Sequence, residues 1–168
     1  MASMTNLQQG PAIAAEHKLK DAVRHHPFCA GLKASSMRVL LECASLEKCP
    51  AHQLVFSEGA EANRFYLVHK GQLSLELFVP GSGVVPIQTV QEGEACGTSS
   101  LFGTYQWSFS AQATQASELL SFPASTLREH AEQDRNFERE LLVRLAPVLF
   151  HRLRATRQRL IEFFGTIE

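Results

Sequence analysis

The sequence predicts a mainly β fold with flanking helices, a closed barrel or jelly roll, on three observations. Between residues 51 and 122 apolar side chains alternate in short runs, the period of strands buried on one face. Glycine or proline stands at nearly every corner between the runs, and short strands at this spacing lose their exposed edges by closing on themselves. On both sides of this region the apolar period lengthens to that of a helix.

The bulk properties agree. A chain of 168 residues, 45% hydrophobic and with a net charge of −1, has room for one cored domain. It is neither disordered nor strongly basic enough to seek nucleic acid. No run approaches the roughly 18 apolar residues that span a bilayer. The start, "MASMTNLQQGPAIAA", lacks the basic and apolar regions of a secretory signal. Cys29, Cys43, Cys49 and Cys96 form no Cys-x-x-Cys pair and read as reduced thiols of a cytoplasmic protein.

Four regions follow in order. Residues 1–11 read as a flexible leader, and residues 12–50 as an N-terminal helical segment. In it, a helix over 12–24 is ended by "HHP" at 25–27. A second helix runs over 34–48, with Ser35 or Ser36 as its N-cap and Met37, Leu40, Leu41 and Leu46 on its buried side. Residues 51–122 form the barrel. Its strands are expected at 53–57, 64–69, 72–79, 84–91, 107–113 and 118–122, with "PGSG" (80–83) as a hairpin tip. Pro86 marks an edge or a bulge. Residues 123–168 are helical. Pro123 suits the first turn of a helix to about residue 133, and Asn136 caps a longer one over 137–164. Its apolar stripe is Leu141, Leu145, Val148, Leu149, Leu153, Leu160, Ile161 and Phe164; Pro147 should kink or split it.

The segment "CGTSSLFGTYQWSFSAQA" (96–113) carries the functional signal. A glycine opens a hydroxyl-rich turn whose backbone N–H groups can face an anion. Yet residues 71–127 contain no lysine or arginine. Trp107 and Phe109 share one face of the expected strand, either to stack on a planar ligand or to fill the barrel. Ser99 and Ser100 either donate to an anion or cap a short helix.

In the order of its elements the chain resembles the cyclic-nucleotide-binding domains of catabolite-activator-type (Crp/Fnr) regulators, ion channels and cyclic-nucleotide-dependent kinases. The resemblance rests on "HPFCAGL" (26–32), "FSEGAEANRFYLVHKGQLSLEL" (56–77), "GEACGTSSLFG" (93–103) and "ELLSFPASTLREHAEQDRNFERELL" (118–142), and covers residues 25–164. It implies that family's double-stranded β-helix barrel, with N-terminal helices and a long C-terminal dimer helix. It also makes residues 93–113 the phosphate-binding cassette, with Gly97, Thr98, Ser99, Ser100, Leu101, Trp107 and Ser108 as ligand-binding positions. The family's glutamate for the ribose hydroxyl falls on Thr98. Its arginine for the cyclic phosphate falls on Trp107 or on Ser108, depending on the direction of counting. A charge-assisted bond of some 1.5–3 kcal/mol is thereby lost. Arg64 is the rival cation and reads as a surface residue.

These residues imply a non-enzymatic regulatory module that binds a small ligand, not readily a cyclic nucleotide, and signals through its dimer helix. A ligand-free dimeric interaction module is the alternative. No metal, prosthetic group or catalytic constellation is expected, since the histidines lack ligand spacing and no nucleophile elbow or phosphate-binding Gly-Lys loop occurs. The resemblance places a homodimer on Leu145, Leu149, Leu153, Leu160 and Phe164. Arg144, Arg152, Arg154, Arg157 and Arg159 read as the solvated back of that helix. The sequence stops at Glu168 without a helix-turn-helix. The expectation is therefore a stand-alone, bacterial-type module with an unidentified regulatory partner protein, no direct DNA contact and no membrane contact.

Overall fold

The computed structural model describes residues 9–103 and 105–165, with side chains from residue 12 to 162 apart from 104. Helix α1 (Gln9–His25) leads through a 3-10 turn (Pro27–Cys29) to α2 (Ala34–Cys43). Eight strands follow: β1 (Ser45–Cys49), β2 (Leu54–Phe56), β3 (Arg64–Lys70), β4 (Gln72–Val79), β5 (Gly83–Gln91), β6 (Ala95–Cys96), β7 (Ser110–Ala113) and β8 (Ser117–Pro123). Helices α3 (Ala124–Gln133) and α4 (Arg135–Gly165) close the fold. The strands make two antiparallel four-stranded sheets, ordered β1-β8-β3-β6 and β2-β7-β4-β5, facing each other as a jelly roll.

Alternation on two strands explains why the core has two compartments. Tyr66 and Val68 of β3 and Leu119 of β8 point into the barrel, where they meet Leu73, Leu75, Val90 and Ala111. Phe65 and Leu67, with Leu120 and Phe122, point outward under the helices and meet Val23, Leu40, Leu127, Phe137 and Leu145. Because both faces are covered, "FYLV" and "LLSF" read as continuous apolar runs.

Several expectations need correction. The second helix stops at Cys43, because Ala44 is already extended, with ψ 144°. The rest of the expected helix is strand β1, whose five residues pair with β8; Leu46 lies opposite Leu120 there. Neither Ser35 nor Ser36 is the N-cap, a place taken by Lys33. Ser36 is buried, and its hydroxyl instead donates to the Glu140 carboxylate on α4. Asp134, not Asn136, caps α4: its Oδ1 accepts the Asn136 N–H at 2.8 Å. Pro147 does not split α4, which is continuous through it. Pro86 does sit on an edge strand, beside the register shift between Leu75 and Glu76.

His26 ties the N-terminal helices to the barrel. It is 3% exposed, and its Nδ1 accepts the Phe28 N–H at 3.2 Å. Nε2 therefore carries the proton and donates to the Val68 carbonyl at 3.2 Å. Burial holds its pKa below the ordinary histidine value, so the unfolded chain takes up a proton before the folded one. This contribution to stability is constant above about pH 6.5 and falls as the pH drops below it. Urea unfolding at pH 7.5 and 5.5 is expected to show the loss, and His26→Gln should reduce that pH difference.

Candidate functional site

The cassette is built between β6 and β7. Gly97 follows β6 with φ +87°, a left-handed conformation that turns the chain sharply into the 3-10 turn Thr98–Ser100. A Cβ at Gly97 would stand 3.0 Å from the Arg64 carbonyl oxygen and 3.3 Å from the Trp107 ring. Only glycine lets these three segments close on one another.

Trp107 lies before β7, not within it, and does not share a strand face with Phe109. The backbone of residues 105–109 is irregular, and Trp107 N–H is bonded to the Ala60 carbonyl at 2.9 Å. Its indole is 4% exposed, stacked on Phe56 with ring centroids 3.8 Å apart and planes at 15°. Tyr66 packs alongside at 6.5 Å. The ring thus fills part of the barrel. Phe109 is half-buried and packs against the same barrel cluster.

Ser100 also turns inward. It is fully buried; its N–H and its hydroxyl both donate to the Gly97 carbonyl, at 3.0 and 2.7 Å, so it stabilises the turn. Leu101 is 7% exposed and belongs to the core under the helices. Ser99 and Ser108 remain at the surface, their hydroxyls 3.3 Å apart. Of the seven cassette residues expected to bind, these two form an accessible hydroxyl pair, while Trp107, Ser100 and Leu101 are structural.

Two arginines from the helices bond to this turn. Arg152 of α4 donates from Nη1 to Thr98 Oγ1 at 2.9 Å and from Nη2 to the Ala95 carbonyl at 3.0 Å. Its guanidinium also lies 5.7 Å from the centre of the Phe109 ring. Burial pushes the neighbouring Cys96 thiol up to about 11, against the pull of the Arg152 charge. Arg128 of α3 supports the turn from its other flank: it donates to the Ser100 carbonyl and lies 4.3 Å over the Tyr105 ring. Arg64 is directed away, to Ser121 Oγ at 2.9 Å, Ser45 Oγ at 3.4 Å and Glu47 at 3.4 Å. The arginines of α4 are therefore not all a solvated back, since Arg144 likewise donates to the Ala30 carbonyl at 2.8 Å.

A signal for Arg152 does exist in the sequence. Leu141, Leu145 and Val148 advance by four and three along the buried side of α4, and the next step of four is residue 152. An arginine that continues a buried stripe has to meet an acceptor.

Burial, by contrast, takes Leu145 out of the expected dimer stripe, because it is 1% exposed within its own protomer. Leu149, Leu153 and Leu160 are open to solvent, at 46%, 66% and 54%. The Phe164 side chain lies outside the described residues. Among the described residues, no group of three or more His, Cys, Asp or Glu is placed to hold a metal, and no helix is long and apolar enough to cross a membrane.

A jelly roll with a glycine-led, hydroxyl-bearing turn between β6 and β7 and flanking helices is the architecture of a cyclic nucleotide-binding domain. The chain belongs to the cyclic nucleotide-binding domain family, whose model matches residues 46–134. Among solved structures it is similar to a cyclic nucleotide-binding domain from Methylobacillus flagellatus. That match has a TM-score of 0.72 and 18% identity over 90% of this chain and 85% of the other. A Geobacter metallireducens protein assigned to cyclic nucleotide binding gives 0.70 and 24%, over 80% and 97%. The N-terminal domain of a Streptomyces coelicolor transcriptional regulator gives 0.62 and 24%, over 83% and 95%. At these identities the likeness is one of fold. No curated protein matches in a sequence search.

Proposed function

We propose that the protein is a non-enzymatic regulatory module that binds a phosphate-bearing small ligand at the cassette and reports occupancy through α4. The observation that carries this reading is the bond from Arg152 to Thr98, which joins α4 to the turn that would hold the anion. An anion seated on the hydroxyls of Ser99 and Ser108 competes with Thr98 for the guanidinium. An ion pair with the anion is stronger than the ion–dipole bond to the neutral hydroxyl that it replaces, so binding pulls on α4. That is a differential interaction with two arrangements of one helix, as a population shift requires.

The output face is a second copy of the chain. Leu142, Ala146, Leu149, Leu153, Thr156 and Leu160 follow one another at alternating steps of four and three, the spacing of a coiled-coil seam, and all six are exposed on the protomer. The homodimer we propose uses this seam, with Leu142 in the place that the sequence reading gave to Leu145.

The aromatic filling of the barrel by Trp107 and Phe56 favours a second reading, in which the cassette takes no ligand and the chain serves as a dimeric interaction module. Calorimetry with cAMP, cGMP, AMP and GMP separates the two. Binding of at least one of them is expected, and Arg152→Gln should weaken it roughly ten- to hundredfold, the value of one charge-assisted bond. Failure of all four to bind at millimolar concentration would leave the ligand-free module standing.

A further inference from the structure

A groove of about 630 Å³, bordered by Arg152, lies between α4, the barrel and the turn after α1. Its volume lies within the range of small-molecule sites. Pro27, Val143 and Val148 supply apolar wall, and Arg144 and Arg152 stand at positions eight residues apart on α4, about 12 Å along its axis. Pro147, midway between them, has no N–H to give the Val143 carbonyl, so the helix also leaves an acceptor beside the groove.

The charges in the groove are unequal at its two ends. Glu94 lines the end where Arg152 bonds the Ala95 carbonyl, and its Oε2 accepts the Gln91 N–H at 2.7 Å. At the other end Arg144 bonds only the neutral carbonyls of Ala30 and Glu140. The Glu140 carboxylate is committed to the Ser36 hydroxyl and the Lys33 N–H. Among the described residues no carboxylate lies within ion-pair distance of Arg144. Two of its five N–H donors are in use, so a half-buried cation with donors to give faces an apolar groove. One cation in excess, next to apolar wall, fits one negative charge on an apolar body.

We infer that this groove is a second ligand site, distinct from the Ser99–Ser108 hydroxyl pair although Arg152 borders both, for a small monocarboxylate whose headgroup pairs with Arg144 and whose hydrocarbon body lies along Pro27, Val143 and Val148. The planar guanidinium matches a carboxylate with two parallel bonds, which a point charge would not do. The site spans α4 and the barrel, and its occupant bears on the same helix as a cassette ligand does.

Calorimetry of the full chain with octanoate, and with 1-octanol as its uncharged counterpart, tests the assignment. Octanoate is expected to bind below millimolar concentration and at least tenfold more tightly than octanol. Arg144→Gln should weaken octanoate at least tenfold and bring it level with octanol. Val148→Trp, which fills the groove, should abolish binding while circular dichroism shows the fold intact. Octanoate binding that is unchanged in Arg144→Gln, octanol binding as tight as octanoate, or no octanoate binding at all would each overturn the site. Nucleotide titration of Arg152→Gln does not involve Arg144, so this site and the cassette reading stand or fall separately.

Discussion

Trp107→Ala is expected to lower stability by about 3–5 kcal/mol, the usual cost of deleting a large aromatic from a core. For a chain of this size that corresponds to a melting temperature lower by roughly 10 °C. The estimate rests on what surrounds the indole. Trp107 is buried against Phe56 at stacking distance, touches Tyr66, and closes over Gly97, where no side chain is present to fill the vacated space. Phe56 and the Gly97 turn cannot collapse toward one another without moving the backbone that carries Ser99. Differential scanning calorimetry measures the loss. A fall of less than 1 kcal/mol would show that the ring is a removable lid and not part of the core. Trp107→Arg discriminates further. A guanidinium in this apolar stack has no carboxylate to meet there, so the variant should be less stable than the alanine one instead of gaining nucleotide affinity.

The second large effect concerns the oligomer. Sedimentation velocity of the full chain is expected to give twice the protomer mass at micromolar concentration, and Leu149→Glu with Leu153→Glu should give the protomer alone. Both leucines are exposed on a single chain, so the substitutions leave the barrel and its circular dichroism unchanged. In a seam, each introduces a charge without a partner, at about 3–5 kcal/mol each. A wild-type chain that sediments as a protomer would remove the seam from the mechanism. The same double substitution made at Leu141 and Leu145 should instead prevent folding, because those side chains are 8% and 1% exposed within the core.

The sequence revealed the barrel because its signals are local. Alternation, glycine corners and an edge proline each declare themselves within a few residues, and the strands appear where they were expected, though β7 is shorter. Strand β1 was hidden for a physical reason. "SLEKC" has one apolar residue in its middle three and gains its strand conformation from pairing with β8, about seventy positions away in the chain. The cassette turn was likewise legible from Gly97 and its hydroxyls. What was not legible is which groups the tertiary fold brings to it. Arg152 reaches Thr98 across 54 positions, and Phe56 reaches Trp107 from before the first long strand. Nothing in a local window could have shown that Trp107 lies inside the barrel, because the backbone there follows no regular period. The same holds for the two serines, since Ser100 turns inward and Ser99 outward in a single turn of 3-10 helix.

The family's matched segment ends at residue 134, while the guanidinium that completes the cradle sits at residue 152. A ribosome releases the strands first, so the barrel can close while this part of the chain is still being made. The nascent barrel then has its glycine turn and its hydroxyls but not that cation. Under the proposed function, the cation of the cradle is therefore made after the barrel, together with the helix proposed to carry the signal away.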